Sequence, residues 1–75
     1  MKADFHKSFM KQYRQLPKSV QREFEIRLKM FYQNPYATKL SNHPLKGKRA
    51  GYRSVNISGD IRAIYKLISD KKAYF

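Results

Sequence analysis

The chain has 75 residues and a formal net charge of +12, which arises from 17 lysines and arginines against five acidic residues. It has no cysteine, which excludes a disulfide framework and a zinc site built on thiolates. The length predicts a single domain over residues 1–75, and the charge predicts a polyanion as binding partner.

The first half of the sequence predicts a short strand followed by two helices. Residues 2–6 alternate loosely between polar and apolar side chains, as a strand does. Apolar residues then recur at helical spacing over residues 9–16, with Ser8 as the predicted N-cap. They recur again over residues 20–32, with Ser19 as the predicted N-cap. The tight connection predicts an antiparallel helical hairpin whose aromatic side chains belong to the core.

The second half predicts a loop followed by strands. Residues 34–50 are rich in basic residues, proline and glycine, and we expect an irregular segment there. Residues 52–57 and 61–67 have the composition of strands, and residues 58–60 have the composition of a hairpin turn. Residues 73–75 begin a further strand. The predicted fold is therefore α+β, with the order β-α-α-β-β-β and the helical hairpin packed on a small antiparallel sheet.

Four short segments at these spacings together resemble the RelE/ParE toxin superfamily. They are Asp4-Phe5-His6-Lys7-Ser8-Phe9, Asn42-His43-Pro44-Leu45-Lys46-Gly47, Gly51-Tyr52-Arg53-Ser54 and Gly59-Asp60-Ile61-Arg62-Ala63-Ile64-Tyr65-Lys66. The HPLxG start of the second segment is most similar to the YafQ branch. The resemblance implies a RelE-like fold and a toxin of a type II toxin–antitoxin pair. RelE and YafQ relatives cut mRNA in the ribosomal A site, whereas ParE relatives poison DNA gyrase.

The resemblance also implies the partners. They are a cognate acidic antitoxin, the ribosome and mRNA, with DNA contacted only indirectly through the toxin–antitoxin complex that represses its own operon. We expect no cofactor and no metal, since the sequence has no P-loop, HExxH or GxSxG motif. No apolar run approaches the roughly 18 residues that span a bilayer, and the start lacks a signal peptide, so we expect a cytoplasmic protein without a membrane partner.

RNA cleavage through the ribose 2′-hydroxyl needs a group that moves protons and a cation that holds the phosphate. His43 lies in the basic loop and, by resemblance, matches a histidine important in YafQ-like enzymes. Arg62 matches the RelE arginine that contacts the scissile phosphate, and arginine suits this task because it stays charged and can bind two oxygens. Asp60 matches an acidic residue of the YafQ pattern, although an aspartate after glycine is also an ordinary turn residue.

Four further basic residues are candidates for RNA binding. Lys46, Lys48 and Arg49 are expected to contact backbone phosphates of rRNA or mRNA without reading the base sequence. Arg53, on the strand before Arg62, is expected to join it across the hairpin as a second phosphate contact.

Two departures from the family leave the activity open. Asn56 stands where the YafQ pattern has a second histidine, and asparagine cannot move protons at neutral pH. Family members also continue past Tyr74-Phe75 with a segment that carries the last catalytic residue, and this sequence lacks it. Three functions therefore remain as alternatives. They are a ribosome-dependent mRNA interferase, which His43 favours, a ParE-like gyrase inhibitor, and a shortened non-catalytic toxin that binds antitoxin or RNA.

Overall fold

Five strands form one sheet in the computed structural model, which describes residues 1–75. The elements in chain order are β1 (Lys2–Asp4), α1 (Lys7–Arg14), α2 (Lys18–Gln33), β2 (His43–Pro44), β3 (Tyr52–Ser58), β4 (Ile61–Ser69) and β5 (Lys72–Tyr74), with 3₁₀ turns at Thr38–Leu40 and Gly47–Arg49. The order across the sheet is β1-β5-β4-β3-β2. The α+β fold with an N-terminal strand and two helices is confirmed. Neither helix has the length and apolar character needed to cross a membrane.

The predicted N-caps are wrong. Helix α1 begins at Lys7 with His6 at the N-cap position, and α2 begins at Lys18 with Pro17 at that position; neither has a side-chain cap. Ser8 and Ser19 therefore lie inside the first turns. Proline suits the start of a helix because it has no backbone N–H that would need a partner and its φ is already fixed.

The sheet is mixed rather than wholly antiparallel. Strand β1 pairs in parallel with β5, and Ala3 lies opposite Ala73. Strand β5 pairs on its other side with β4 in the antiparallel direction, so this last, short strand lies in the interior of the sheet. The segment predicted to be an irregular loop contributes the edge strand β2, which pairs with β3.

Aromatic side chains form much of the core, as the sequence predicts. The buried hydrophobic residues are Phe24, Phe31, Leu40, Val55, Ile57, Ala63, Tyr65, Ala73 and Phe75. The Phe75 ring lies 5.2 to 6.3 Å, between ring centroids, from five other aromatic rings, those of Phe5, Phe9, Phe24, Phe31 and Tyr65. Because each aromatic side chain buries a large area, this cluster supplies apolar contacts that a chain of this length otherwise lacks.

The helical hairpin is held together by reciprocal hydrogen bonds. The Gln21 side-chain amide donates to the backbone carbonyls of Tyr13, at 3.0 Å, and Leu16, at 3.1 Å. The Tyr13 hydroxyl donates to the Gln21 carbonyl at 3.2 Å. Partial burial raises the pKa of Tyr13, and the nearby Glu25 carboxylate raises it further.

The two faces of the sheet differ in their neighbours. Val55, Ala63 and Tyr65 are buried on the face that packs against the helices. Successive residues of a strand point to opposite faces, so the residues next to Val55, Ala63 and Tyr65 in sequence lie on the other face of the sheet. We call this the open face, and its residues in β3, β4 and β5 include Ser54, Arg62, Ile64, Lys66 and Tyr74.

Candidate active site on the open face

Arg62 and His43 meet on the open face although they lie on strands that are not neighbours. His43 in β2 is opposite Ser54 in β3, and Arg62 in β4 is opposite Asn56 in β3. The Arg62 side chain therefore crosses β3 diagonally over Ser54. Its Nη2 atom ends 3.2 Å from Nδ1 of His43. The structure thus brings together the two residues that the sequence proposed for proton transfer and phosphate binding.

The guanidinium of Arg62 is fixed by two close hydrogen bonds. Its Nε donates to the Ser54 hydroxyl at 2.6 Å, and its Nη2 donates to the Ser41 carbonyl at 2.7 Å. Ser54 is only 2% exposed and is the one buried polar residue of the chain. Nη1 has no acceptor within the protein, so its N–H groups remain available for a phosphate oxygen.

The imidazole of His43 is oriented by the same carbonyl. Nδ1 lies 3.0 Å from the Ser41 oxygen, and this contact is a hydrogen bond when Nδ1 carries the proton. In the neutral ring Nε2 is then the acceptor. Ser41 adopts a left-handed backbone conformation with φ of 44°, which is uncommon for a residue other than glycine. His43 is exposed, so Nε2 is accessible to a substrate hydroxyl.

The predicted RNA-binding loop lies directly after His43. Lys46, Lys48 and Arg49 are all exposed around the 3₁₀ turn at Gly47–Arg49, and none of them forms an ion pair. Asp60 lies in the β3–β4 turn, where it is exposed and forms neither a hydrogen bond nor an ion pair through its side chain. The structure shows no contact between Asp60 and either His43 or Arg62.

Arg53 does not join Arg62. It lies opposite Tyr65 in the β3–β4 register, and this places it on the helix-facing side of the sheet. Its Nε donates to the Asn42 side-chain oxygen at 2.9 Å, and its guanidinium lies 5.4 Å from the centroid of the Tyr36 ring. Side chains alternate between the two faces along each strand. Arg53 shares a face with Tyr65, whereas Arg62 lies three positions before Tyr65 and points to the other face. The expectation of a joint phosphate contact across the hairpin is therefore wrong. Arg53 instead holds the segment before β2.

Asn56 has a structural role in this chain. Its side-chain oxygen accepts a hydrogen bond from Nη1 of Arg27 at 3.3 Å, and its side-chain nitrogen donates to the Gly59 carbonyl at 3.0 Å. The strand register shifts between Asn56 and Ser58. The Asn56 amide thus provides hydrogen-bond partners for the Arg27 guanidinium and the Gly59 carbonyl at a β-bulge.

The charges around the site are not neutralised by acidic side chains. The chain has two ion pairs, Arg27 with Glu23 at 3.2 Å and Lys72 with Asp4 at 2.7 Å. Neither involves His43, Arg62 or the basic loop. No group of histidine, aspartate or glutamate side chains is arranged to hold a metal ion. The site as it stands offers a fixed arginine, a histidine and a surrounding positive potential, which suits an anionic substrate.

Sequence reasoning missed Ser41 and Ser54, the two residues that orient this pair. Ser54 lies between Arg53 and Val55 in a predicted strand, and nothing in this pattern shows that its hydroxyl is buried and therefore requires a partner. No signal in the sequence points to Ser41, which acts through its backbone carbonyl.

Three solved structures share this fold over nearly the full chain. The YoeB/ParE toxin from Agrobacterium tumefaciens has a TM-score of 0.78 and 23% identity, covering 99% of this chain and 91% of that one. YafQ from E. coli strain BL21(DE3) has a TM-score of 0.78 and 25% identity, with coverages of 97% and 84%. The YoeB chain of the heterotetrameric YoeB–YefM toxin–antitoxin complex from Staphylococcus aureus has a TM-score of 0.76 and 20% identity, with coverages of 99% and 88%.

The other two comparisons gave no match. No protein-family model matches the chain, and no curated protein sequence matches it. The structural comparison alone therefore confirms the resemblance to RelE/ParE toxins, including the similarity to YafQ, that the motifs indicate.

Proposed function

We propose, from its RelE/ParE toxin fold, that this chain is the toxin of a type II toxin–antitoxin pair and acts as a ribosome-dependent mRNA interferase. The observation that supports the catalytic part is the contact of 3.2 Å between Arg62 Nη2 and His43 Nδ1 on the open face. It places a group able to accept a proton beside a cation able to bind a phosphate. RNA is the polyanion that offers both a phosphate and a neighbouring hydroxyl nucleophile.

The proposed reaction is attack of the ribose 2′-oxygen on the adjacent phosphorus. Nε2 of His43 takes the 2′-hydroxyl proton, since Nδ1 is directed to the Ser41 carbonyl. Nη1 of Arg62 binds a phosphoryl oxygen, and its charge stabilises the additional negative charge of the transition state. The O2′–P bond forms and the P–O5′ bond breaks, which leaves a 2′,3′-cyclic phosphate and a 5′-hydroxyl end after that oxygen is protonated.

The basic loop supplies binding without sequence recognition. Lys46, Lys48 and Arg49 are exposed and unpaired next to His43. Contacts of this kind with phosphates fix the position of a protein on nucleic acid and make its affinity sensitive to salt. We propose that they hold mRNA or rRNA against the open face.

An acidic antitoxin is the proposed protein partner. The net charge of +12 makes the free toxin repel itself and attract an acidic chain. The similar YoeB chain was solved in complex with the antitoxin YefM. An antitoxin that covers the basic loop would also block access of RNA to His43.

Induced expression followed by primer extension on a reporter mRNA tests the enzymatic proposal. The reporter is compared with a copy whose start codon is destroyed, so that cutting which depends on translation is visible. We expect cuts only in the translated reporter, and a loss of about 100-fold or more for His43→Ala and for Arg62→Gln. Lys29→Gln, which removes one positive charge from an exposed position of α2, is the matched control and should retain cutting.

Each failure has a distinct meaning. If the wild-type chain leaves the translated reporter intact, it is not an interferase, and a supercoiling assay with purified gyrase then tests the ParE-like alternative. If the wild-type chain cuts but the His43 and Arg62 variants cut equally well, the assigned site is wrong although the reaction class stands.

A further inference from the structure

A tyrosine and a lysine form a pair on the open face, next to the candidate active site. Tyr52 is the first residue of β3 and lies opposite Lys66 in β4. Both side chains are exposed, and neither belongs to the hydrophobic core. The Lys66 ammonium lies 5.8 Å from the centroid of the Tyr52 ring, which is within the range of a cation–π contact, and it forms no ion pair. The pair therefore presents an aromatic ring and an unpaired positive charge to the solvent.

Tyr52 lies between the two parts of the site. Ser54 follows it by two positions on the same face of β3, a separation of about 7 Å along the strand. The Ser54 hydroxyl accepts the hydrogen bond from Arg62, and Ser54 lies opposite His43. In the other direction, the Tyr52 carbonyl accepts a hydrogen bond of 2.9 Å from the Leu45 N–H, and the basic loop begins at the next residue. The shortest path between the basic loop and Arg62 on this face therefore crosses Tyr52.

The other tyrosines of the sheet do not present a ring in this way. Tyr74 lies opposite Lys66 on the other side of β4, but its ring is half-buried and is covered by the His6 ring, whose centroid is 3.9 Å away. Tyr65 is buried in the core. An exposed aromatic ring on a positively charged surface is the arrangement with which proteins bind the bases of single-stranded nucleic acid. In the sheet of this chain, Tyr52 alone has it.

We propose that Tyr52 and Lys66 form a nucleobase subsite for single-stranded RNA, an inference that rests on the proposed function. An RNA strand whose phosphates contact the basic loop and Arg62 passes over Tyr52, and one of its unpaired bases stacks on the Tyr52 ring. The Lys66 ammonium, at the end of a flexible side chain, then exchanges its contact with the ring for a phosphate of the same strand. Because every base has a π face, this subsite binds bases without reading their sequence.

The subsite gives the open face a preference that charge alone does not provide. Phosphate contacts from the basic loop and Arg62 attract any polyanion. A stacking ring adds affinity only for a polyanion that carries bases. Tyr52 would therefore favour RNA over other polyanions and hold a nucleotide next to the phosphate at Arg62, which makes it a positioning residue.

Two polyanions separate stacking from charge. An oligouridylate with 2′-O-methyl groups carries bases and cannot be cut through its 2′-oxygen, whereas inorganic polyphosphate carries charge without bases. Affinities are measured by fluorescence anisotropy in the absence of ribosomes. We expect Tyr52→Leu to weaken binding of the oligouridylate by about tenfold or more and to leave binding of polyphosphate within about threefold of the wild type. Tyr52→Trp, which keeps an aromatic ring, should retain the affinity for oligouridylate.

Two further variants provide controls. Tyr36 is also exposed and also lies beside a cation, with the Arg53 guanidinium 5.4 Å from its ring centroid, but Arg53 is on the helix-facing side of the sheet. Tyr36→Leu should therefore leave both affinities unchanged. Lys66→Gln should weaken binding of both polyanions, since it removes a charge and no ring.

The outcomes distinguish this inference from the proposed function. If Tyr52→Leu binds oligouridylate as well as the wild type, or loses the same factor for polyphosphate, Tyr52 is not a base-stacking residue, even where the wild type cuts mRNA. If Tyr52→Leu does not fold, Tyr52→Thr, which suits a strand, is measured by the same criterion. If the selective loss is found but the wild type cuts no translated mRNA, the subsite stands as an RNA-binding site and the interferase proposal fails.

Discussion

The hydroxyl of Ser54 lies beneath the guanidinium of Arg62 and accepts a hydrogen bond of 2.6 Å from its Nε atom. Since Ser54 is buried, this bond restricts where the arginine can lie. We expect Ser54→Ala to lower cleavage by roughly tenfold through the loss of one anchor, while the free energy of unfolding falls by only about 1 kcal/mol. Single-turnover cleavage and urea unfolding measure the two effects separately. Equal and large losses in both would show that Ser54 acts through the fold and not through Arg62.

Arg62→Lys tests whether charge alone is sufficient. The guanidinium donates to Ser54 and Ser41 while Nη1 stays free. A single ammonium cannot bind both protein acceptors and a phosphate in the same arrangement. We expect Arg62→Lys to lose about 100-fold in cleavage rate, close to the loss in Arg62→Gln. A lysine variant with near wild-type activity would contradict the need for a fixed guanidinium.

The basic loop should determine the salt dependence of RNA binding. We expect the triple variant Lys46→Gln, Lys48→Gln, Arg49→Gln to reduce the slope of log affinity against log salt by roughly two, since each phosphate contact on a single strand contributes about 0.7. A single-stranded RNA oligonucleotide and a salt titration provide the measurement. The matched control replaces three exposed helix lysines, Lys11, Lys18 and Lys29, by glutamine. If both triple variants lose the same slope, binding follows total charge and not this loop.

Phe75 should be among the most costly core positions to truncate. Its ring is 5% exposed and contacts aromatic residues from α1, α2 and β4. We expect Phe75→Ala to cost about 3–5 kcal/mol in free energy of unfolding, which is close to the whole stability of a small domain. Tyr52→Ala, at an aromatic residue that is 40% exposed, should cost less than about 1 kcal/mol. Denaturant unfolding of the three proteins tests the difference.

Tyr13 should give the fold a pH dependence at high pH. Because burial and Glu25 raise its pKa above the ordinary 10.0, the folded chain favours the neutral phenol. The stability that this preference contributes is complete below the unfolded pKa and is lost as pH rises through the folded pKa. We expect Tyr13→Phe to lose less stability than the wild type between neutral pH and that range. Thermal unfolding at several pH values checks this, and parallel curves would contradict it.

The sequence predicts the elements of this fold better than their arrangement. The helices, the β3–β4 hairpin and its turn follow from local spacing and turn residues. The parallel pairing of Lys2–Asp4 with Lys72–Tyr74 does not, because no local pattern reports a contact between opposite ends of a chain. The two-residue strand β2 is also too short to have a period of its own.

The candidate site was accessible to sequence reasoning only in part. The resemblance pointed to His43 and Arg62, and the structure brings them into contact. The expected contact between Arg53 and Arg62 is wrong because it depends on the face to which each side chain points. That face follows from how β3 pairs with β4, which the sequence does not show.

The pairing of β1 with β5 has a consequence for the order in which this fold forms. Lys2 and Lys72 are 70 positions apart in sequence but are direct partners in the sheet, and Phe75, next to β5, belongs to the aromatic core. Contacts between segments so distant in sequence slow folding, because a long loop must close before they form. The β3–β4 hairpin joins strands that are adjacent in sequence and can pair without closing that loop. We therefore expect the hairpin to form early and the β1–β5 end of the sheet to form last.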